Sequence, residues 1–404
     1  MSQDPTTHNA RFVGWLSLAQ LVSWGTTFYA FALVMGPVEE ALGLSRAQAS
    51  LGFSLAILAE GLLAYPVGRW IDRGHERLVM TGGSLLAGAC LLLHGLVATL
   101  WGFYAVWLGL GAAMAGVLYS PAFAVVTRRF PQDYRRAIIT MTFLGGLAST
   151  VFIPFTSWLI AAWGWRMAIA SLAAWQLLLC APLHAWMLRG APPRMPRIAK
   201  LAGAKPVNVR SLMRSPPFLL IGLFVMALLS VSVALPAHMI SLLREYGVKE
   251  TWVVVLPASI GVIQVLGRLL LYFFEHRFDL HLANRVIPLL IPMGLVALLL
   301  APLAGPASAW VVLGFVVLYG MGNGMLTIVR GTAIAQYVSK EHAATLNGAL
   351  GLPLALARAS APLLLGVLWN PQVGYTHGLW LLLAMSAVGV VALVGAQHLA
   401  LVQD

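Results

Sequence analysis

The sequence predicts an all-α membrane protein: twelve transmembrane helices in two pseudo-symmetric six-helix bundles, with both termini cytoplasmic. Three observations carry that expectation. Of 404 residues, 60% are hydrophobic and only 9% are charged, with a mean hydropathy of +0.86. That is more apolar surface than a soluble domain can bury. The apolar residues gather into windows long enough to cross a hydrocarbon core about 30 Å thick. The basic residues fall in alternate short loops, which is how orientation in a bilayer is set. The net charge of +12 is therefore read as topology and not as a nucleic-acid footprint.

In chain order the windows are 12–36, 47–69, 78–98, 101–127, 137–160 and 165–188, then 217–243, 252–275, 283–304, 308–335, 343–369 and 376–402. Turn signals separate them: Gly36-Pro37, Gly74, Pro131-Gln132, Gly164, Gly305-Pro306 and Asn370-Pro371. Of the 25 Lys and Arg, only Arg46, Arg166, Arg244 and Lys249 fall in one set of loops, and Arg268, Arg330 and Arg358 lie inside windows. The other eighteen share the opposite set with the N-terminus, which makes that side cytoplasmic. Residues 1–10 are polar, and the first apolar run is longer than a signal-peptide core, so no processing is expected. Cys90 and Cys180 fall inside apolar windows and read as reduced packing residues. The expected location is the inner (cell) membrane, crossed many times.

Residues 189–216, basic, proline-rich and free of acid, form the one linker. It divides the chain into an N-terminal bundle (1–188) and a C-terminal bundle (217–404). A weak internal repeat supports the division: Glu60…Asp72-Arg73 overlays Gln264…His276-Arg277, and the segment from Phe130 to Ala137 overlays that from Tyr337 to Ala344. Parallel six-span repeats with a binding site between the halves are a known transporter plan.

Four charges lie deep in the windows. Counting at 1.5 Å per residue, Arg330 sits about 10 Å, Arg268 about 13 Å and Arg358 about 21 Å from the cytoplasmic end of its window. Glu60, twelve residues before Asp72, lies near the midplane, where a carboxylate is either functional or paired. Arginine stays protonated, so each guanidinium needs an anion, water or a carbonyl. One face shared by the three would make a positive track for an organic anion, because a carboxylate matches the guanidinium fork. The alternative is structural: an arginine that steadies a broken helix or pairs with Glu60. Glu60 has two readings, a protonatable coupling residue or a fixed counter-charge. Gln20, Tyr29, Tyr119, His238, Gln264 and Asn323 are further polar candidates for a cavity wall. His94 and His184 lie toward window ends and read as interfacial.

The loop Gly68-Arg69-Trp70-Ile71-Asp72-Arg73-Gly74-His75-Glu76-Arg77 is similar to the G-x-x-x-D-R-x-G-R-R/K pattern between spans 2 and 3 of the major facilitator superfamily. Gly68, Asp72, Arg73 and Arg77 match; His75 stands at the second glycine and Glu76 at a base. The resemblance extends over essentially the whole chain. It implies that this loop is a cytoplasmic gate, with Asp72 accepting charge-assisted bonds from Arg73 or from Arg128 and Arg129. It also implies that spans 3, 6, 9 and 12 lie outside the cavity, whereas Glu60 and the three arginines fall in spans 2, 8, 10 and 11.

Within that superfamily the chain most resembles the monocarboxylate and oxalate/formate porters. Ser23-Trp24-Gly25-Thr26-Thr27-Phe28-Tyr29 has their Gly-aromatic character, Phe130…Arg135-Arg136-Ala137 resembles their entry to span 5, and Gly267-Arg268 is similar to the pair whose arginine binds carboxylate. Some of those porters carry an acid where this chain has Gln264. The Gly-Pro pair of drug/proton antiporters is missing from span 5.

No GxxxxGK[ST], HExxH or GxSxG sequence occurs, so ATP-driven transport and hydrolysis are not expected. The expected function is a secondary transporter of a small organic anion, coupled to protons or a counter-substrate, monomeric, and without cofactor or metal. Its substrate-binding candidates are Arg268, Arg358, Arg330, Tyr29, Tyr119, Asn323, Gln264 and His238. Glu60 is the coupling or charge-balance candidate, and Gly68, Asp72, Arg73, Arg77 and Arg128 are the gating candidates. The alternatives are an exporter of neutral or amphipathic compounds and a non-transporting receptor.

Overall fold

The structure is a computed structural model that describes residues 5–132, 134–190, 209–274, 280–339 and 342–403. Residues 191–208 of the expected linker lie outside this set, as do His276-Arg277 and Lys340-Glu341 of the internal repeat. The described chain is helical, and its one extended pairing is a single bridge between Asn370 and Gly374.

Helix α1 (Pro5–Ser23) continues through a π-helical turn (Trp24–Tyr29) into α2 (Ala30–Leu42). Then come α3 (Arg46–Asp72), α4 (Glu76–Gly95), α5 (Leu100–Val117), α6 (Tyr119–Arg129), α7 (Tyr134–Gly146) and α8 (Ala148–Ala174). A second π-helical turn (Trp175–Cys180) leads into α9 (Ala181–Met187). After α10 (Val209–Met213) follow α11 (Pro216–Glu245), α12 (Glu250–Phe274), α13 (Leu280–Leu300), α14 (Ser308–Tyr337), α15 (Ala343–Ala349), α16 (Gly351–Leu368) and α17 (Thr376–Gln403). Local chemistry sets several boundaries. Ser45 and Gln48 form a reciprocal capping box that starts α3, and Thr99 caps α5 by accepting from the Gly102 N–H.

Ten helical runs among the described residues are long and apolar enough to cross a membrane. Two of them, Ala137–Met187 and His281–Thr327, have 51 and 47 residues. At 1.5 Å per residue these would reach about 77 and 70 Å, more than twice a hydrocarbon core. Each is broken by a glycine with positive φ, Gly164 (76°) and Gly305 (52°), where the sequence places its turns. The eleventh window is divided, with the short α15 preceding α16.

The chain packs as two compact units. The first holds Met1–Arg194 together with Leu235–Val262 and Pro362–Trp369; the second holds Met195–Ala234, Ile263–Ala361 and Asn370–Asp404. In the first unit the core is aromatic. Phe31 and Phe53 stack at 4.5 Å, and Trp107 meets both edge-on. Trp107 Nε1 donates to His94 Nε2 at 3.1 Å, and Ser84 Oγ lies 2.9 Å from His184 Nδ1. Both imidazoles are buried, at 1% and 0% exposure, in the last turns of their helices, and each has a polar partner on a neighbouring helix. Cys90 and Cys180 are buried and free.

Candidate functional site

In the second unit α12 and α14 touch backbone to backbone. A Cβ on Gly324 would lie 2.3 Å from the Gln264 carbonyl oxygen, so only glycine permits the contact. This close approach lets Arg268 Nε donate to the Gly324 carbonyl at 3.2 Å, and Arg268 is buried. Arg330 lies six residues further along α14, about 9 Å; it is half-buried and feels the charges of Arg358 and then Arg268. Ser230 Oγ donates to the Ala357 carbonyl at 3.0 Å, which ties α11 to α16 beside Arg358. Asn323 Oδ1 accepts from Ser232 Oγ at 2.6 Å, and Gln264 is buried. The three arginines expected to bind an anion lie on α12, α14 and α16 of the second unit. Gly324 and Gly267 set the spacing of the first two helices.

Glu60 is half-buried on α3, in the first unit. Tyr29 and Tyr119 belong to one aromatic group there: Trp24 lies 4.9 Å from Tyr119 and 5.1 Å from Phe28, and Tyr119 stacks on Phe123. Trp24, Phe28 and Tyr29 sit on the first π-helical turn, a local geometry often found at functional positions. The turn is held from the second π-turn by Gln176 Nε2, which donates to Thr26 Oγ1 at 2.8 Å and to Ser23 Oγ at 3.4 Å. Neither π-turn was anticipated, because helical periodicity alone carries no mark of one extra residue. Among the described residues no group of three or more His, Cys, Asp or Glu could hold a metal ion.

At the end of α3 marked by Asp72, the loop turns on Gly74 (φ 92°), whose left-handed backbone lets His75 N reach back to the Trp70 carbonyl at 3.0 Å. Gly68 leaves open space where a side chain would stand. Asp72, Arg73 and Arg77 are exposed, and Asp72 makes no side-chain hydrogen bond or ion pair among the described residues. The bonds expected at Asp72 are made instead by Glu76. Its carboxylate is wholly buried, accepts from Arg129 Nε at 2.6 Å, is also paired with Arg129 Nη2, and lies 3.7 Å from Arg128 Nη1. Standing in the first turn of α4, Glu76 also gains from the positive end of the helix dipole. A packed cluster of the first unit includes Ile71, Met80, Val125 and Met141, from α3, α4, α6 and α7.

The opposite end of α3 carries a second polar knot. Arg46 Nε lies 2.9 Å from Glu39 Oε1, its Nη1 lies 3.3 Å from Glu245 Oε1, and its guanidinium covers the Trp369 ring at 4.7 Å. Trp369 Nε1 donates to Glu245 Oε1 at 2.8 Å, closing the ring of contacts. Burial, with Glu245 adding, pushes the neighbouring Tyr246 phenol up to about 12. Deeper along the helices His238, wholly buried, lies 3.0 Å from the Pro362 carbonyl and 3.4 Å from Ser50 Oγ, and Ser54 Oγ accepts from the Leu363 N–H at 3.1 Å. Thr150 Oγ1 donates to the Ala258 carbonyl at 2.6 Å. The first unit thereby fastens stretches of α11, α12 and α16 to α3 and α8. His238, expected on a cavity wall, is part of this clasp.

Comparison with known proteins now bears on these features. Residues 16–362 match the model of the Major Facilitator Superfamily. A bacterial homologue of the human lysosomal transporter Spinster, solved in an inward-facing conformation, superposes with a TM-score of 0.72 at 18% identity, covering 99% of this chain and 98% of that one. The nucleoside transporter NupG superposes with a TM-score of 0.72 at 14% identity, covering 96% of this chain and 98% of that one. No curated protein sequence matches the chain significantly.

Proposed function

The chain belongs to the Major Facilitator Superfamily, and on that premise we propose that it is a secondary active transporter of a small, carboxylate-like organic anion, working by alternating access coupled to protons. Membership makes it a membrane transporter of small molecules and not an enzyme. The observation that supports the anion is the arginine group of α12, α14 and α16. Three like charges repel one another, and an anion brought among them relieves all three at once. Arg268 is the principal anion ligand in this reading, Arg358 and Arg330 extend the site, and Gln264 and Asn323 supply neutral donors. Tyr29 and Tyr119 lie in the first unit. Glu60 is the one carboxylate in the interior of an apolar window and is proposed to take up the proton.

The two ends of α3 then have complementary roles. By the distribution of basic loops the Asp72 end is cytoplasmic and the Arg46 end external. Gly68, Asp72, Arg73 and Arg77 form the inner gating loop; Glu76, with Arg128 and Arg129, anchors it. The Arg46 knot and the His238 clasp hold the outer end and must part for that end to open.

A second reading, transport of an amphipathic or neutral compound, draws on the Trp24–Phe28–Tyr29–Tyr119–Phe123 group and on a structural relative that is a nucleoside transporter. Purified protein in proteoliposomes, offered mono- and dicarboxylates and nucleosides under an imposed pH gradient, separates the two. Anion transport predicts carboxylate uptake that Arg268→Ala and Arg358→Ala reduce, whereas a receptor would bind without flux.

A further inference from the structure

A cavity of about 890 Å³ opens in the first unit between the start of α1, the end of α6 and the end of α9, away from every residue assigned above to substrate. Its wall is graded. Arg11, Arg129 and Arg189 line it, with Trp15 four residues from Arg11, Trp186 three residues before Arg189, and Leu18 a further turn along α1. In the sequence these arginines flank apolar windows: Arg11 precedes 12–36, Arg129 follows 101–127 and Arg189 follows 165–188. Three ends of apolar windows thus meet at the cavity. Arg129 is engaged by Glu76 and by the Phe12 ring at 4.9 Å. Arg11 and Arg189 are exposed, and their guanidinium groups make no hydrogen bond or ion pair among the described residues. No carboxylate among the described residues lines the cavity.

We propose that this cavity binds an anionic phospholipid, its headgroup phosphate between Arg11 and Arg189 and its chains along Trp15, Leu18 and Trp186. A soluble anion would use the arginines but not the apolar levels beneath them. A neutral lipid would use the apolar levels but not the charge. The order of cation, indole and aliphatic side chain with depth matches the order of phosphate, ester and acyl chain in a lipid. Trp15 and Trp186, 45% and 57% exposed, are amphipathic rings at the level where they favour the interface. The basic loops put the cavity in the cytoplasmic leaflet, whose anionic lipids attract such clusters.

Native mass spectrometry of the full-length protein, titrated with phosphatidylglycerol or phosphatidylcholine, tests the proposal. The wild type should retain one phosphatidylglycerol in preference to phosphatidylcholine. Each arginine removed should weaken that binding about fivefold, so Arg11→Ala/Arg189→Ala should lose about twenty-five-fold. Arg11→Lys/Arg189→Lys, which keeps the charge should the alanine pair fold poorly, should stay close to wild type, as should the distant Arg166→Ala. Trp15→Ala should weaken the lipid without creating affinity for inorganic phosphate. Equal retention of the two lipids by the wild type would overturn the proposal. So would equal losses in the Arg166 and Arg11/Arg189 variants, or displacement of phosphatidylglycerol by inorganic phosphate at matched concentration.

Discussion

Glu76 gives its buried carboxylate to Arg129, with Oε1 accepting from the guanidinium Nε at 2.6 Å. The pair joins the start of α4 to the end of α6, two helix termini separated by 53 residues. Their dipoles both favour the arrangement: the acid stands at an N-terminus and the base in a last turn. Removing one member of a buried pair leaves the other charge without compensation, at a cost of about 3 kcal/mol. Glu76→Gln should therefore lower the melting temperature of the detergent-solubilised protein well below wild type. Asp72→Asn, at an exposed position, should change stability by less than about 1 kcal/mol. A larger loss for Asp72→Asn would reverse the assignment.

The Arg46 knot yields a prediction about exposure. Cys90 and Cys180 are buried, so a cysteine introduced at Ser54, beside Leu363, should report on the clasp with little background. Labelling of Ser54→Cys by a membrane-impermeant maleimide should rise when Arg46→Ala or Glu245→Ala is added. Unchanged labelling in both backgrounds would show that the knot does not hold this end.

Helix spacing in the second unit can be tested at two glycines of α14. Gly324→Ala places a methyl 2.3 Å from the Gln264 carbonyl and must push α12 away, costing about 1–3 kcal/mol and moving Arg268 off its carbonyl partner. Gly314→Ala meets nothing within 4 Å and should be neutral or slightly stabilising, since alanine favours helix. Thermal melts of the two variants make the comparison directly.

Proton coupling is expected to pass through Glu60. Transport by Glu60→Gln should lose its dependence on pH while substrate binding persists. An unchanged pH dependence would remove Glu60 as the proton carrier and leave it as a counter-charge.

Much of the fold was legible because the bilayer constrains it so strongly. Window length and the glycine turns at Gly164 and Gly305 follow from hydrocarbon thickness and backbone sterics, which a sequence displays locally. The site was less legible, since its contacts join distant positions. Arg46 and Glu245 are 199 residues apart, and no local pattern pairs them. Glu76 read as an intrusion at a basic position until burial revealed it as the acid that anchors the loop. His94 and His184 read as interfacial because their depth was countable but their partners, Trp107 and Ser84, were not. The arginines drew notice through the guanidinium's need for a partner, but the face each one occupies depends on helix packing of the kind Gly324 permits.

The central claim rests on Arg268, and uptake of radiolabelled carboxylates into proteoliposomes under an inward proton gradient tests it most directly. Wild-type protein should accumulate at least one carboxylate. Arg268→Ala should reduce the rate at least about thirtyfold, equivalent to ~2 kcal/mol for a truncated buried charge contact. Arg268→Lys should fall between, keeping the charge but not the fork. Carboxylate uptake at wild-type rates in Arg268→Ala, Arg268→Lys and Arg358→Ala alike would contradict the account.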